Sequence, residues 1–315
     1  MIEFSFIVPV YNVEDFVEKC LDSLVKQKAN NFDFEIIIIN DGSTDNSIQK
    51  CSKYLQKYKN IVLINQINSG LGEARNTGIR NASGEYIICI DSDDYIDDDC
   101  FLVKLHNKLC ESDIDVLCTN FKIKNFATGE IIYNKNFKID VSKCTISQLI
   151  SADLINISAW TKIVKRNFVL KYKIFFNKGI SEDIDWTYRL LLLSENISCL
   201  NIADYVYLRG RTGSITENQN DFKKLYDLRN EILERCLTYN IDYNIKNNLV
   251  CDKYLSYIYS NNYIISIKAN YYDVNMKKKK RYLKIASGKF MIVYIVSLIF
   301  GFKNTWNLIG LLFRK

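Results

Sequence analysis

The first 125 residues switch back and forth between two hydrophobic periods. Apolar runs at 4–10 (FSFIVPV), 34–40 (FEIIIIN), 61–66 (IVLINQ), 85–91 (EYIICID) and 115–123 (DVLCTNFKI) have the length and composition of strands. Between them, 14–27, 43–58, 70–82 and 98–112 read as helices. In 14–27 the apolar residues fall at 16, 17, 20, 21, 24 and 25, a helical spacing. FEIIIIN shows no polar alternation, as a strand buried on both faces requires. This order predicts an α/β fold with a Rossmann-like, mostly parallel sheet flanked by helices. Ligands of such sheets bind beyond the carboxyl ends of the strands.

Beyond residue 125 the pattern is less regular. A hairpin-like stretch near 130–138 is followed by AWTKIVKRNFV, GISEDIDWTYRLLLLSE and the strand DYVYLRGR. From 218 to 270 helical periods return, rich in Tyr and Asn. The expected organisation is one domain over 1–216, with halves 1–125 and 126–216, and a helical C-terminal region over 217–315.

Charge changes the picture of that last region. The formal net charge is +6, yet residues 277–315 hold ten Lys or Arg and no Asp or Glu, so residues 1–276 are net negative. KKKKRYLK (277–284) precedes FMIVYIVSLIF (290–300), eleven residues where a bilayer span needs about 20. A basic cluster beside an apolar, Trp-containing helix fits an anchor on an anionic membrane surface; the alternative is a helix packed on the main domain. The apolar neighbour argues against nucleic acid as the partner. MIEFSFIVPV lacks the basic start and cleavage site of a signal peptide. Ten scattered cysteines, none in CxxC spacing, read as reduced core thiols of a cytoplasmic protein, peripheral on the inner face of the plasma membrane. The lone histidine, His106, lies in a helical pattern, so no histidine base is expected.

Candidate chemistry sits at the predicted strand ends: PVYN (9–12), NDGSTDNS (40–47), NSGLGEARNTG (68–78) and DSDD (91–94). Each alone has a plain explanation. Ser43 or Thr44 could cap a helix, Gly70 and Gly72 could allow a tight helix entry, and Arg75 could be solvated. Together at one sheet edge they mark a crevice. Six aspartates crowd positions 91 to 99. Asp91 and Asp93, two apart on a strand, would face one ligand. Mg²⁺ is held by one or two carboxylates together with substrate phosphate oxygens. Asp97, Asp98 and Asp99 suit the N-terminus of the next helix.

FIVPVYN, IIIINDGSTDNS, NSGLGEARNTGI and GEYIICIDSDDYI, in this order, resemble the nucleotide-sugar-binding half of family 2 glycosyltransferases with the GT-A fold. The resemblance continues through SAWTKIVKR, SEDIDWTYRLLLLSENI and YVYLRGRTGSIT, and covers about residues 3 to 216. It implies that Pro9, Tyr11 and Asp41 hold the base of a UDP-sugar, with Arg75 near the nucleotide and diphosphate. Asp91-Ser92-Asp93 would be the DxD motif, Asp91 near ribose or metal and Asp93 on Mn²⁺ or Mg²⁺. Asp183 would be the catalytic base, or Glu182 beside it. Arg209, Arg211 and Ser214 lie in a segment that covers the diphosphate in relatives. Trp160 could stack on an acceptor sugar or belong to the core.

The implied reaction is an inverting, metal-dependent transfer of one sugar to a glycan or lipid-linked glycan in bacterial surface polysaccharide synthesis, such as capsule, lipooligosaccharide or O-antigen. No QxxRW follows SEDID, which argues against a processive synthase. Two alternatives remain. One is a nucleotidyltransferase that makes the sugar nucleotide, although PVYNVEDF has neither the glycines nor the lysines of its phosphate loop. The other is a UDP-binding protein without turnover.

Overall fold

The computed structural model describes residues 2–134, 155–179, 181–211 and 222–242, with short runs and single positions between 255 and 309. The strands are β1 (Ile2–Val10), β2 (Asp33–Asn40), β3 (Ile61–Asn65), β4 (Tyr86–Cys89), β5 (Tyr95–Ile96), β6 (Val116–Asn125), β7 (Ile131–Asn134), β8 (Lys162–Lys165) and β9 (Ile197–Arg209). The helices are α1 (Val17–Val25), α2 (Ser47–Lys57), α3 (Leu71–Asn81), α4 (Phe101–Leu109), α5 (Arg166–Lys171), α6 (Glu182–Leu193) and α7 (Phe222–Asp242). The chain divides into two compact units. One comprises Met1–Lys143 and Asn156–Arg211, the other Cys144–Ile155 and Thr212–Lys315.

In the first unit the nine strands form one sheet in the order β3-β2-β1-β4-β8-β6-β9-β5, with β7 paired to β6. The β1–β2, β2–β3 and β1–β4 pairs are parallel. The run does not pass directly from β4 to β6, because β8 lies between them and is antiparallel to both. Two reversals restore direction, so β6 and its parallel neighbour β9 run with β1 to β4. The sheet is therefore mixed but mostly unidirectional, and the ends of β1, β2, β3 and β4 share one edge.

Alternation along β1 assigns the two faces. Phe4, Phe6, Val8 and Val10 lie in one core with Val17, Cys20, Leu21 and Leu24 of α1 and Leu102 and Leu105 of α4. Ile7 faces the other way, against α3, where a Cβ on Gly78 would come 2.3 Å from Ile7 Cγ2. That close approach needs glycine, and it brings α3 down onto the sheet. Six of the described cysteines (Cys20, Cys51, Cys89, Cys118, Cys199 and Cys236) are buried. In the second unit, α7 buries Tyr226, Ile232, Leu233 and Cys236. The basic, apolar stretch 277–315 lies almost wholly outside the described residues. Among those described, no helix is long and apolar enough to cross a membrane.

Candidate active site

The loops after β1 and β2 are tied together. Asn12 adopts a left-handed conformation (φ 50°). Its Oδ1 accepts the Thr44 N–H (2.8 Å), while Ser43 Oγ donates to the Val10 carbonyl (3.3 Å). Ser43 and Thr44 therefore do not cap α2, which begins after Asn46. They fix the rim on which Tyr11 stands, 49% exposed, while Pro9 is buried in β1 opposite Ile39. Asp41 is buried and accepts from Ser69 N–H (2.8 Å), Gly70 N–H (2.9 Å) and Gln66 Nε2 (2.7 Å). A carboxylate has about four lone-pair positions, so one remains for a further donor. Gly70, at φ 89°, turns its N–H toward that carboxylate as the chain enters α3.

Asp91 and Asp93 do not stand on a strand, which corrects the expected geometry. β4 ends at Cys89, and the Asp94 N–H donates to the Asp91 carbonyl (3.0 Å), closing a tight turn. The turn sends its acids to different partners. Asp91 Oδ1 accepts from Arg75 Nη2 (2.8 Å), Asp93 Oδ2 pairs with Arg211 Nε, and Ser92 is buried. Asp94, fully buried, accepts the Tyr205 hydroxyl (2.6 Å) and the Leu208 N–H (2.8 Å). Burial and the neighbouring charges of Asp93 and Asp91 push its carboxyl well up. Asp98 does serve the next helix, accepting the Cys100 N–H (2.7 Å), whereas Asp97 pairs with Lys122 (2.6 Å).

The centre of the site is Arg75, whose side chain is 1% exposed. Its Nη1 donates to Glu182 Oε1 (2.8 Å) and Asp183 Oδ1 (2.7 Å), and its guanidinium lies 5.2 Å from the Phe176 ring centroid. One cation thus joins the DSD turn, 16 residues further on, to the first turn of α6, 107 residues further on. The second oxygen of Asp183 accepts the Ala159 N–H (2.9 Å) from the 3₁₀ turn Ala159–Thr161. Three carboxylates face this guanidinium. Burial, then the charge of Asp183, pushes Glu182 up to about 7, against the pull of Arg75. Asp91 is also raised, by burial first, with Arg75 opposing. Beneath them Lys162 is buried and lowered to about 8 by desolvation. Its Nζ donates to the Asn156 and Ser158 carbonyls, both at 2.7 Å.

The structure separates the expected site residues into groups. Tyr11, Pro9 and Asp41 line the β1–β2 end, and Arg75, Asp91, Glu182 and Asp183 form one cluster beside Asp93 and Arg211. Trp160 belongs to the core: it is buried, stacked on Tyr205 (4.3 Å, 6°) and edge-on to Phe121 (4.8 Å). Arg209 is exposed at the end of β9, and Ser214 lies outside the described residues. His106, paired with Glu3 (2.8 Å), sits by the start of β1, at the opposite edge of the sheet. Sequence reasoning missed the bridging role of Arg75, the structural role of Asp94 and the buried Lys162. The available signal was Gly72 and Gly78, three residues to either side of Arg75, which mark a side of α3 packed closely on its neighbours.

A divalent cation fits the donor set at the DSD turn. Among the described residues, Asp91 Oδ2 and Asp93 Oδ1 carry no protein hydrogen bond. No group of three His, Cys, Asp or Glu converges among those residues. Such a site would thus be completed by ligand oxygens, as Mg²⁺ commonly requires.

A model of the family described as Glycosyl transferase family 2 matches residues 5–187. The chain is 36% identical over 224 residues to the Streptococcus pneumoniae glycosyltransferase GlyA, covering 67% of this chain and 31% of that protein. It is 35% identical over 213 residues to a poly(ribitol-phosphate) beta-glucosyltransferase of Bacillus spizizenii, covering 66% and 32%. The chain thus spans about a third of the length of these two curated relatives. The structure superposes on Staphylococcus aureus TarS 1-349 in complex with UDP-GlcNAc with a TM-score of 0.71 at 22% identity, covering 97% of this chain and 90% of that one. On a Pyrobaculum calidifontis mannosyltransferase in complex with GDP-Man and Mn²⁺ the TM-score is 0.60 at 13% identity, covering 98% and 83%. These two likenesses show the fold.

Proposed function

The chain belongs to glycosyl transferase family 2, and from that premise we propose that it transfers one sugar from a UDP-sugar to a bacterial cell-surface polymer or its lipid-linked precursor, with inversion. The observation that carries this reading is the Arg75 cluster, which holds an acid of the DSD turn and the acids of SEDID together at the carboxyl edge of the sheet. The UDP donor is supported by the TarS complex with UDP-GlcNAc, and the polymer acceptor by the names of the relatives.

Tyr11 offers an exposed ring to the nucleobase, and Asp41 has one acceptor position left for a ring N–H. Asp93 and Asp91 would hold Mn²⁺ or Mg²⁺, which when bound neutralises the diphosphate as it leaves. Asp183 is the base. The acceptor hydroxyl gives its proton to this carboxylate, its oxygen bonds to the anomeric carbon, and the bond from that carbon to the diphosphate oxygen breaks. Ala159 N–H and Arg75 Nη1 each hold one Asp183 oxygen, so the carboxylate is oriented before the acceptor arrives. Its side chain is 18% exposed against 9% for Glu182, which favours Asp183 for the contact. The basic 277–315 segment supports attachment to an anionic membrane face.

The test is nucleotide release from UDP-, GDP-, dTDP- and CMP-sugars, with Mn²⁺ and with EDTA, for the wild type and Asp93→Ala. Selective, metal-dependent release from a UDP-sugar, lost in Asp93→Ala, is expected. Full activity in that variant, or in EDTA, would refute the assigned role of the DSD turn.

A further inference from the structure

The transfer proposed above gives no part to Lys162, although the residue is 1% exposed and close to Asp183. β8 runs antiparallel to β4, with Ile163 opposite Ile88, so Lys162 lies level with Cys89 at the carboxyl end of β4. An ammonium has three N–H donors and no acceptor. Here all three are used, on the Asn156 carbonyl (2.7 Å), the Ser158 carbonyl (2.7 Å) and the Thr161 hydroxyl oxygen (3.2 Å). None goes to a carboxylate. Burying a charge with hydrogen bonds to neutral acceptors alone is costly, and an apolar side chain would fill the same space without that cost.

What the ammonium fixes is the backbone that serves Asp183. Three consecutive carbonyls are clamped: Asn156 and Ser158 by Lys162, and Ile157 by the Thr187 hydroxyl of α6 (2.8 Å). The Thr161 hydroxyl also donates to the Ser158 carbonyl (2.8 Å). The next N–H, that of Ala159, donates to Asp183 Oδ2 (2.9 Å). The Ser158 carbonyl and the Ala159 N–H belong to one planar peptide unit, so a donor that holds the first sets the direction of the second. A cation on that carbonyl also polarises the unit and strengthens its N–H as a donor. The other oxygen of Asp183 is held by Arg75, which Asp91 and Glu182 share. Without Ala159, the Asp183 carboxylate would swing toward that guanidinium.

We propose that Lys162 is a positioning residue for Asp183. Acting through the Ser158–Ala159 peptide unit, it holds the carboxylate in the orientation that receives the acceptor's proton. The inference deepens the reading above and rests on Asp183 as the base.

The experiment follows the alanine amide protons of the isotopically labelled full chain by NMR, with UDP affinity and the rate of UDP release from UDP-GlcNAc in Mn²⁺ measured alongside. The variants are Lys162→Met, Thr161→Val, Asp183→Asn and Lys162→Met/Asp183→Asn. The Ala159 signal should move upfield in Asp183→Asn and in Lys162→Met, with Ala82 and Ala203 unmoved where the fold is intact. Thr161→Val, which removes the hydroxyl shared by Lys162 and the Ser158 carbonyl, should give a smaller shift in the same direction. UDP release should fall roughly tenfold in Lys162→Met with UDP affinity kept, as loss of one charge-assisted hydrogen bond implies. In the Asp183→Asn background the same substitution should lower the rate no further, because Lys162 acts through the base. An unmoved Ala159 signal in Lys162→Met, or in Thr161→Val should the first variant not fold, overturns the inference. So does a rate loss that multiplies with that of Asp183→Asn, as a general structural defect would give. Full UDP release by Asp183→Asn overturns the assignment of the base, whatever the amide signals show. Failure of the wild type to bind UDP overturns the donor reading, and the Ala159 signal then decides alone whether Lys162 orients the carboxylate.

Discussion

Glu182→Gln should stabilise the protein in alkaline buffer and leave it nearly unchanged in acid. The Glu182 carboxyl, ordinarily near 4.5, is pushed up to about 7 by burial, then by the charge of Asp183, with Arg75 pulling the other way. A carboxyl raised in the folded state favours the fold while it keeps its proton. That contribution is complete below pH 4.5, declines as the pH rises from 4.5 to 7, and is gone above 7. At about 1.36 kcal/mol per pH unit, the difference between 4.5 and 7 corresponds to roughly 3 kcal/mol. With the side chain only 9% exposed, solvent relieves little of it. Glutamine keeps an oxygen for Arg75 Nη1 but never ionises. The variant should therefore exceed the wild type by roughly 3 kcal/mol at pH 8, and the gap should close as the pH falls below 4.5. Urea unfolding followed by tryptophan fluorescence reads this, since Trp160 and Trp186 both lie in the unit that contains Glu182. A variant no more stable than wild type at pH 8 would refute the reasoning. Attraction to the Arg75 guanidinium would then outweigh burial, and Glu182 would be ionised in the folded protein.

Three further outcomes are expected. Asp183→Asn should lower sugar transfer by about 10²–10⁴-fold while calorimetric UDP affinity is kept; if Glu182→Gln gives that loss instead, the two acids exchange roles. Trp160→Ala should cost about 3–5 kcal/mol in urea unfolding, because the ring is packed on Tyr205 and Phe121; unchanged stability with a raised acceptor KM would place it in the acceptor site instead. Gly78→Ala should cost about 1–3 kcal/mol, since its Cβ would lie 2.3 Å from Ile7 Cγ2 and α3 must lift; a neutral result would mean that α3 rides higher on β1 than described.

The parts of the fold that depend on local pattern were legible. FEIIIIN is a strand buried on both faces, and the apolar spacing of 14–27 is the buried stripe of α1. Strand order was less so: β8 enters the sheet between β4 and β6 although it follows both in sequence, and no periodicity in KIVK announces its neighbours. At the site, residue types were easier to read than their partners. The DSD carboxylates were visible, but their conformation depends on where β4 ends, and a turn replaced the expected strand. Arg75 reads equally as a solvated helix residue or a phosphate ligand. Its burial against Glu182 and Asp183 comes from packing across the fold, which spacing does not encode. Asp94 was indistinguishable from its neighbours until Tyr205 and Leu208 claimed it.

The reversed strand at the middle of the sheet also imposes a schedule on synthesis. Lys165 pairs with Tyr86, and at 5–20 residues per second it emerges roughly 4–16 s later. Until then β4 is covered by β1 on one side and has no neighbour on the other. β6 is made sooner but belongs one place further out, so it is available to the wrong seat. The chain that follows β4 directly, before α4 and β6, is the aspartate-rich stretch 91–99. Like charge beside an uncovered edge discourages association with other nascent chains, as flanking charges do around aggregation-prone strands. An acidic run that stands at the candidate site of the finished protein therefore also guards an unfinished sheet while the ribosome is still at work.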